Sequence, residues 1–187
     1  MQANLREHIE KISVLTDAEF AFVQSHFTAQ QFKKHDFLFT AGTAVNYIYF
    51  ITSGLVKLSH TDDTAKGHIV AFAMEDWWES DFQAFYNRTK ATMSLKCLED
   101  TMVLCLTLDG YNELCSGLNK MEHFLLRKAN SGHIAAQQRI LSFLTSNAKE
   151  RYENLLKLHP TLFQRVPKTQ LASYLGVSRE TLSRLSS

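Results

Sequence analysis

The stretch "LASYLGVSRETLSRLSS", Leu171 to Ser187, decides how this chain is read. It places four leucines, an alanine and a glycine at the intervals that two short helices joined by a sharp turn require. In a window opening at Lys168, the residues Leu171, Ala172, Leu175, Gly176, Val177, Leu182 and Leu185 fill the apolar and turn positions of a helix-turn-helix. Ala172 must be small because the second helix crosses close over it. Gly176 suits the left-handed backbone of a sharp turn. Ser178 can cap the second helix, since its hydroxyl accepts an early backbone N–H. At about 100° per residue, Arg179, Glu180, Ser183 and Arg184 share one arc, while Leu182 and Leu185 lie opposite. Two arginines and a glutamate therefore look outward. A recognition helix presents such residues to base edges: arginine pairs bidentately with guanine, and glutamate accepts from the cytosine amino group. The plainer alternative is a helical hairpin with an exposed charged face.

Charge distribution agrees with the first reading. Residues 1–138 hold 12 Lys+Arg against 16 Asp+Glu, a balance of −4; residues 139–187 hold 8 against 3, a balance of +5. Nucleic acid should repel the first part and attract the second. Across 187 residues, 45% hydrophobic and 21% charged content with only two prolines suits one or two soluble globular domains. The start, "MQANLREHIEKI", shows no secretory signal, and the apolar run "TMVLCLTL" is too short to cross a bilayer, so a cytoplasmic protein without a membrane partner is expected. Three scattered cysteines, Cys97, Cys105 and Cys115, form neither a disulfide framework nor a zinc site, and no metal site is expected. No phosphate loop, His-Glu-x-x-His or nucleophile motif is present, so the chain does not read as an enzyme. The paired carboxylates Asp62-Asp63 and Glu75-Asp76 read as solvated turns.

Working back from the tail, "NAKE" (Asn147–Glu150) predicts a capped helix, which "HP" at His159–Pro160 ends. Leu114, Leu118, Met121 and Leu125 step by four, three and four, an apolar seam that suits either a helix lying on the rest of the chain or a two-fold helix pair. Between Phe27 and Thr107, the runs "FLFTAG", "YIYFITSG", "LVKLSH", "HIVAFAM", "ATMSLKCL" and "TMVLCLTL" alternate with turn signals at Gly42, Gly54 and "TDDTAKG". That rhythm predicts an antiparallel roll or jelly roll. The aromatic segment Glu75–Thr92 interrupts it, with a short helix expected around Ser80–Tyr86. At the N-terminus, "LREHIEKI" is helical, and "TDAE" (Thr16–Glu19) is a capping box for a second short helix.

These parts, in this order, resemble the Crp/Fnr family of bacterial transcription regulators. "GVSRETLSR" and "KERYENLLKLHP" followed by "VPKTQLASYLG" carry the resemblance most specifically, the latter to a short-tailed branch, and "YIYFITSGLVKL" resembles the roll's central hairpin. The resemblance implies an α+β fold. A cyclic-nucleotide-binding-like β-roll with flanking helices would span 1–108, a dimerisation helix 109–135, and an all-α helix-turn-helix domain lacking most of the wing 136–187. It implies a homodimer joined through Leu114, Leu118, Met121 and Leu125, reading a palindrome in double-stranded DNA, with RNA polymerase as a further partner. Arg179, Glu180 and Arg184 would read bases. Ser178 and Thr181 would touch phosphates, with Ser183 and Lys168 beside them.

The sensor half departs from the family pattern. Binders of cyclic AMP carry Gly-Glu before a short helix and Arg-Ser-Ala or Arg-Thr-Ala after it. Here the region reads "WWESDFQAFYNRTKA", with no glycine before Glu79 or Asp81 and with Lys90 between Arg88-Thr89 and Ala91. Glu79, Asp81, Arg88 and Thr89 are candidates for lining an effector pocket. Equally, Trp77, Trp78, Phe82, Phe85 and Tyr86 are candidates for filling it. The degenerate cassette disfavours a cyclic nucleotide, and no cofactor is assigned. An iron–sulfur sensor is excluded because the first cysteine is Cys97, while His26, His35, His60 and His68 remain as isolated histidines for haem. The alternative function is a ligand-sensing or protein-interaction module whose DNA-binding end has lost its role.

Overall fold

The computed structural model describes residues 2–185, so the last two residues of the expected reading helix 178–187 lie outside the described residues. Two short helices come first, α1 (Gln2–Glu10) and α2 (Asp17–Ser25). The latter opens with the expected capping box: Thr16 Oγ1 accepts the Glu19 N–H, and the Glu19 carboxylate accepts the Thr16 N–H.

Eight strands follow: β1 (Phe27–Phe32), β2 (Phe37–Phe39), β3 (Ile48–Ser53), β4 (Val56–Thr61), β5 (Gly67–Ala73), β6 (Trp78–Glu79), β7 (Ser94–Cys97) and β8 (Thr101–Leu106). They form two four-stranded antiparallel sheets, ordered β1-β8-β3-β6 and β2-β7-β4-β5. Between them lies a core of alternating inward residues, among them Phe39, Ile51, Val56, Leu58, Leu95, Cys97, Val103 and Cys105. The inserted helix α3 (Phe82–Asn87) interrupts the strands where expected and plugs one end of this core with Ala84 and Phe85. The fold is α+β, a roll with flanking helices and an all-α C-terminal region.

The helical stretch after the roll differs from the expected single helix over 109–135. It is broken into α4 (Leu108–Gly117) and α5 (Asn119–Thr145), with Leu118 extended between them. Gly117 sits against the Phe22 ring, where an added Cβ would come within 2.8 Å. The expected seam is also corrected. Leu114, Met121 and Leu125 are buried in the chain's own core, beneath Leu5 and Ile9 of α1 and against Phe50 and Phe124, with Leu118 half-buried beside them. Turning such fully buried side chains out to meet a second copy would cost about 1.5–3 kcal/mol each. The apolar stripe left open on α5 lies further along, at Leu126, Ile134, Ile140, Leu141 and Leu144.

Four short helices complete the described chain: α6 (Ala148–Leu158), α7 (Pro160–Arg165), α8 (Lys168–Leu175) and α9 (Arg179–Leu185). Asn147 and Glu150 cap α6 as expected. Pro160 both ends α6 and starts α7, which the sequence pattern did not separate; proline is well suited to a first helical turn. This helical head packs on the roll. Leu155, Leu162, Val166, Leu171, Ala172, Leu175 and Leu182 share one core with Ile69 and Phe72 of the second sheet and with Leu55 and Leu98 at the ends of its strands.

One arginine bolts that contact. The Arg165 guanidinium of α7 donates to both Glu75 oxygens, at 2.8 and 3.0 Å, and to both Glu99 oxygens, at 2.6 and 3.0 Å. Glu75 also accepts the Gly54 N–H at 2.8 Å, so three turns of the roll converge on one side chain of the head. Replacing Arg165 by Ala leaves two half-buried carboxylates facing each other. The expected loss is about 1–3 kcal/mol of unfolding free energy in urea. Faster proteolysis at the Ser146–Asn147 junction should accompany it. Unchanged stability and cleavage would show that the apolar contact alone holds the head.

Candidate nucleic-acid interface

The two helices of the head are held at their turn. Gly176 caps α8 in the left-handed region, with φ of +67°. Its backbone lies against the Phe143 ring of α5, where an added Cβ would approach to 2.9 Å. Phe143 lies between Arg139 and Arg151, whose guanidinium carbons sit 5.0 and 5.2 Å from its centroid. Arg151 donates to the Leu175 carbonyl, and Arg139 donates to the Tyr174 and Ile69 carbonyls. These bonds satisfy carbonyls at the end of α8 and tie the turn to both α5 and the roll. Burial lowers the pKa of Arg139, and Tyr174, with its ring centroid 3.6 Å from the guanidinium carbon, opposes this only in part.

Beyond the turn, Ser178 Oγ accepts the Thr181 N–H at 3.1 Å and starts α9 as expected. Leu171, Ala172, Leu175 and Leu182 are buried, and Val177 and Leu185 are partly so. Arg179, Glu180, Ser183 and Arg184 are exposed on the other side of α9. The Glu180 carboxyl is held below its usual range by backbone and Ser178 hydrogen bonds, so it stays an acceptor at neutral pH. Lys168 opens α8 and is exposed, while Thr181 is partly covered. Structure and spacing thus bring the seven predicted residues onto one small unit.

The predicted effector residues are not brought together. Asp81 is fully buried, and its carboxylate is occupied: it caps α3 through Ala84 N–H and accepts from Thr92 N–H, Thr92 Oγ1 and Met93 N–H. Arg88, left-handed at φ of +52°, reaches Asp109 of α4, and Thr89 is exposed beside it. Glu79 remains inside the roll, opposite Tyr49, with the Ser80 N–H as the donor on its carboxylate at 3.0 Å. Burial without a counter-charge pushes its pKa up to about 7. Of the aromatic residues, Phe85 is buried, Trp77 and Trp78 are half-buried, and Phe82 and Tyr86 are exposed. The four histidines face different partners: His26 meets Glu113, His60 the Thr92 carbonyl and His68 Asp62, while His35 is exposed in a turn. The sequence reading missed His8, buried against Phe50, Trp78 and Phe124, where burial lowers its pKa to about 4. Only its place on the apolar face of α1, between Leu5 and Ile9, could have signalled this.

Comparison with known proteins gives a consistent result. The cyclic nucleotide-binding domain family matches residues 29–117. An anaerobic regulatory protein of Haemophilus influenzae is 26% identical over 166 residues, covering 82% of this chain and 63% of that protein. One from Pasteurella multocida is 26% identical over 164 residues, covering 82% and 59%. Among solved structures, the catabolite activator protein of Thermus thermophilus aligns with a TM-score of 0.59 at 21% identity, over 92% of this chain and 82% of that one. The c-di-GMP responsive global regulator CLP of Xanthomonas campestris aligns with a TM-score of 0.71 at 13% identity, over 91% and 89%. These likenesses agree with the Crp/Fnr-type architecture, a cyclic nucleotide-binding-like roll followed by a helical region.

The chain spans about three fifths of the length of the curated relatives it matches. The solved structures, at these identities, speak for the fold. The matched cyclic nucleotide-binding domain ends at residue 117, so the helical head lies outside it. Among the described residues no helix is long and apolar enough to cross a membrane.

Glu79 gives the roll a pH dependence with a definite sign. Its folded pKa of about 7 lies above the ordinary 4.5, so the folded chain holds the proton more tightly. Its contribution is therefore complete below about pH 4.5 and is lost as pH rises through 7. His8 acts oppositely, since a depressed pKa costs stability as pH falls from 6.5 towards 4. Glu79→Gln should match the parent in urea at about pH 5 and exceed it by about 2–3 kcal/mol at about pH 8. An equal difference at both pH values would mean that Glu79 does not ionise within this range.

Proposed function

We propose that the protein is a DNA-binding transcription regulator of the Crp/Fnr type, acting as a homodimer that reads a palindromic site through α9. The observation carrying this reading is the outward face of α9. Arg179, Glu180, Ser183 and Arg184 are exposed together while Leu182 anchors the helix beneath them. To Ser178, Thr181 and Lys168 we assign the phosphates that would border that face. The +5 balance of residues 139–187 supplies attraction to a polyanion.

Two such heads would read half-sites one helical turn, about 34–36 Å, apart. The open stripe on α5, Leu126, Ile134, Ile140, Leu141 and Leu144, is the surface we assign to the two-fold contact. A small effector in the roll would be met by Glu79 rather than by Asp81, whose carboxylate is engaged within the chain, or by Arg88, which is exposed and reaches Asp109. RNA polymerase as a partner and a cytoplasmic location belong to the same reading.

Gel retardation with mixed genomic fragments, at low and moderate salt, tests DNA binding. Binding should weaken steeply with salt. Arg179→Ala or Arg184→Ala should cost about 1–3 kcal/mol and relax one base position. Variants that bind specific and random duplexes just as the parent does would remove α9 from base reading. For the dimer, Leu141→Glu combined with Leu144→Glu should give a monomer by light scattering, with DNA affinity down by about tenfold or more. A dimer that persists in this double variant would place the two-fold contact elsewhere.

A further inference from the structure

The outer face of the second sheet carries a row of four residues in direct register. Phe72 on β5 faces Lys57 on β4, Lys57 faces Lys96 on β7, and Lys96 faces Phe37 on β2. The head covers one end, where Phe72 packs on Tyr174 with ring centroids 5.0 Å apart. The other end is open: Lys57 and Lys96 are partly exposed, and Phe37 is exposed. Like charges directly opposite on neighbouring strands are unfavourable, with Cα atoms only about 4.5–5.5 Å apart. No carboxylate among the described residues pairs with either ammonium. The acids of the flanking turns are committed elsewhere. Asp36 accepts the Lys33 N–H, Asp100 takes the Lys33 ammonium and the Lys34 N–H, and Glu99 holds Arg165. Lysines that guard a sheet from pairing sit on edge strands, but β4 and β7 are the two central strands here. The Lys96 ammonium rests over the Phe37 ring, 4.7 Å from its centroid, so an aromatic surface adjoins the charges.

We propose that this face docks an acidic segment of a partner protein, with carboxylates on Lys57 and Lys96 and an apolar side chain on Phe37. A protein segment fits better than nucleic acid. Residues 1–138 carry a net −4. A duplex is a long polyanion that meets that whole field, while a short segment within a Debye length, about 8–10 Å, meets chiefly the local pair. Burial and the neighbouring Lys96 already disfavour the charged form of Lys57, and a carboxylate would relieve both lysines.

The test is fluorescence anisotropy of a labelled, glutamate-rich peptide with one central phenylalanine, titrated with the full chain at low and high salt. The parent should bind it, weakly and less so at high salt. The double variant Lys57→Ser with Lys96→Ser should lose about fivefold or more. Arg179→Ala with Arg184→Ala should leave this binding unchanged, and a glutamine-rich peptide should not bind. A non-operator duplex should bind the parent and the lysine variant alike. Absence of peptide binding by the parent, or equal binding by the lysine variant, would overturn the proposal. Loss confined to the arginine variant would move the anion site to α9. Duplex affinity that falls with the lysines would reassign the face to nucleic acid.

Discussion

The arrangement of this molecule depends on Arg165. Its planar guanidinium suits two carboxylates at once, because its donors lie in a fixed fork. Glu75 and Glu99 come from different turns of the roll, and Gly54 from a third. Gly54 itself tolerates no side chain: its φ is +104°, and an added Cβ would lie 2.6 Å from Thr101 Oγ1 and 2.7 Å from the Asp100 carbonyl. The turns are therefore packed tightly before the head arrives, and Arg165 locks them to α7. These ion pairs raise the Arg165 pKa and lower that of Glu75, so both groups stay charged at neutral pH. Apolar contact between Leu162, Val166 and Leu171 on one side and Leu55 and Leu98 on the other supplies area. The arginine supplies direction, since hydrophobic burial has none.

A second anchoring point fixes the turn between α8 and α9. Arg139 touches α5, β5 and α8 through one side chain, and Phe143 fills the space that Gly176 leaves. The head is thus held to the roll at Arg165 and to the long helix at Phe143. A displacement of β5 would be felt by Tyr174 through both Phe72 and the Ile69–Arg139 link. In the regulator proposed above, this connected set of packed groups would carry a change in the roll to α9.

Local chemistry was legible in the sequence. The caps at Thr16, Asn147 and Ser178, the left-handed Gly176 and the outward arc of α9 are each set within a few residues, and the structure contains all of them. The same holds for the strands, whose alternation needs only a two-residue period. Tertiary partners were not legible. Leu114, Met121 and Leu125 read as an interface because periodicity identifies an apolar face without saying what covers it; the cover is α1, over a hundred residues away in sequence. Glu75 read as a turn acid because Arg165 lies ninety residues on. Asp81 and Arg88 read as ligand groups because residue type says nothing of whether a side chain is already occupied. β6 escaped detection because a two-residue strand has no period, and β1 because "FTAQQF" at an edge is mostly polar.

The division of charge adds a constraint that neither packing nor motif expresses. The acidic roll and the basic head are clamped together, so part of the roll's negative field lies within reach of the surface proposed to meet DNA. At physiological salt that reach is about 8 Å, so only nearby carboxylates count. Arg165 sits between Glu75 and Glu99 and offsets one of their two negative charges in place. The clamp therefore does two things with the same charges: it fixes the head, and it lowers the local charge that an approaching polyanion would meet from −2 to −1. An apolar residue at position 165 could preserve contact area, but it would leave those carboxylates uncompensated beside the head. Arginine at this position is thus required by the electrostatics of the head as well as by its attachment.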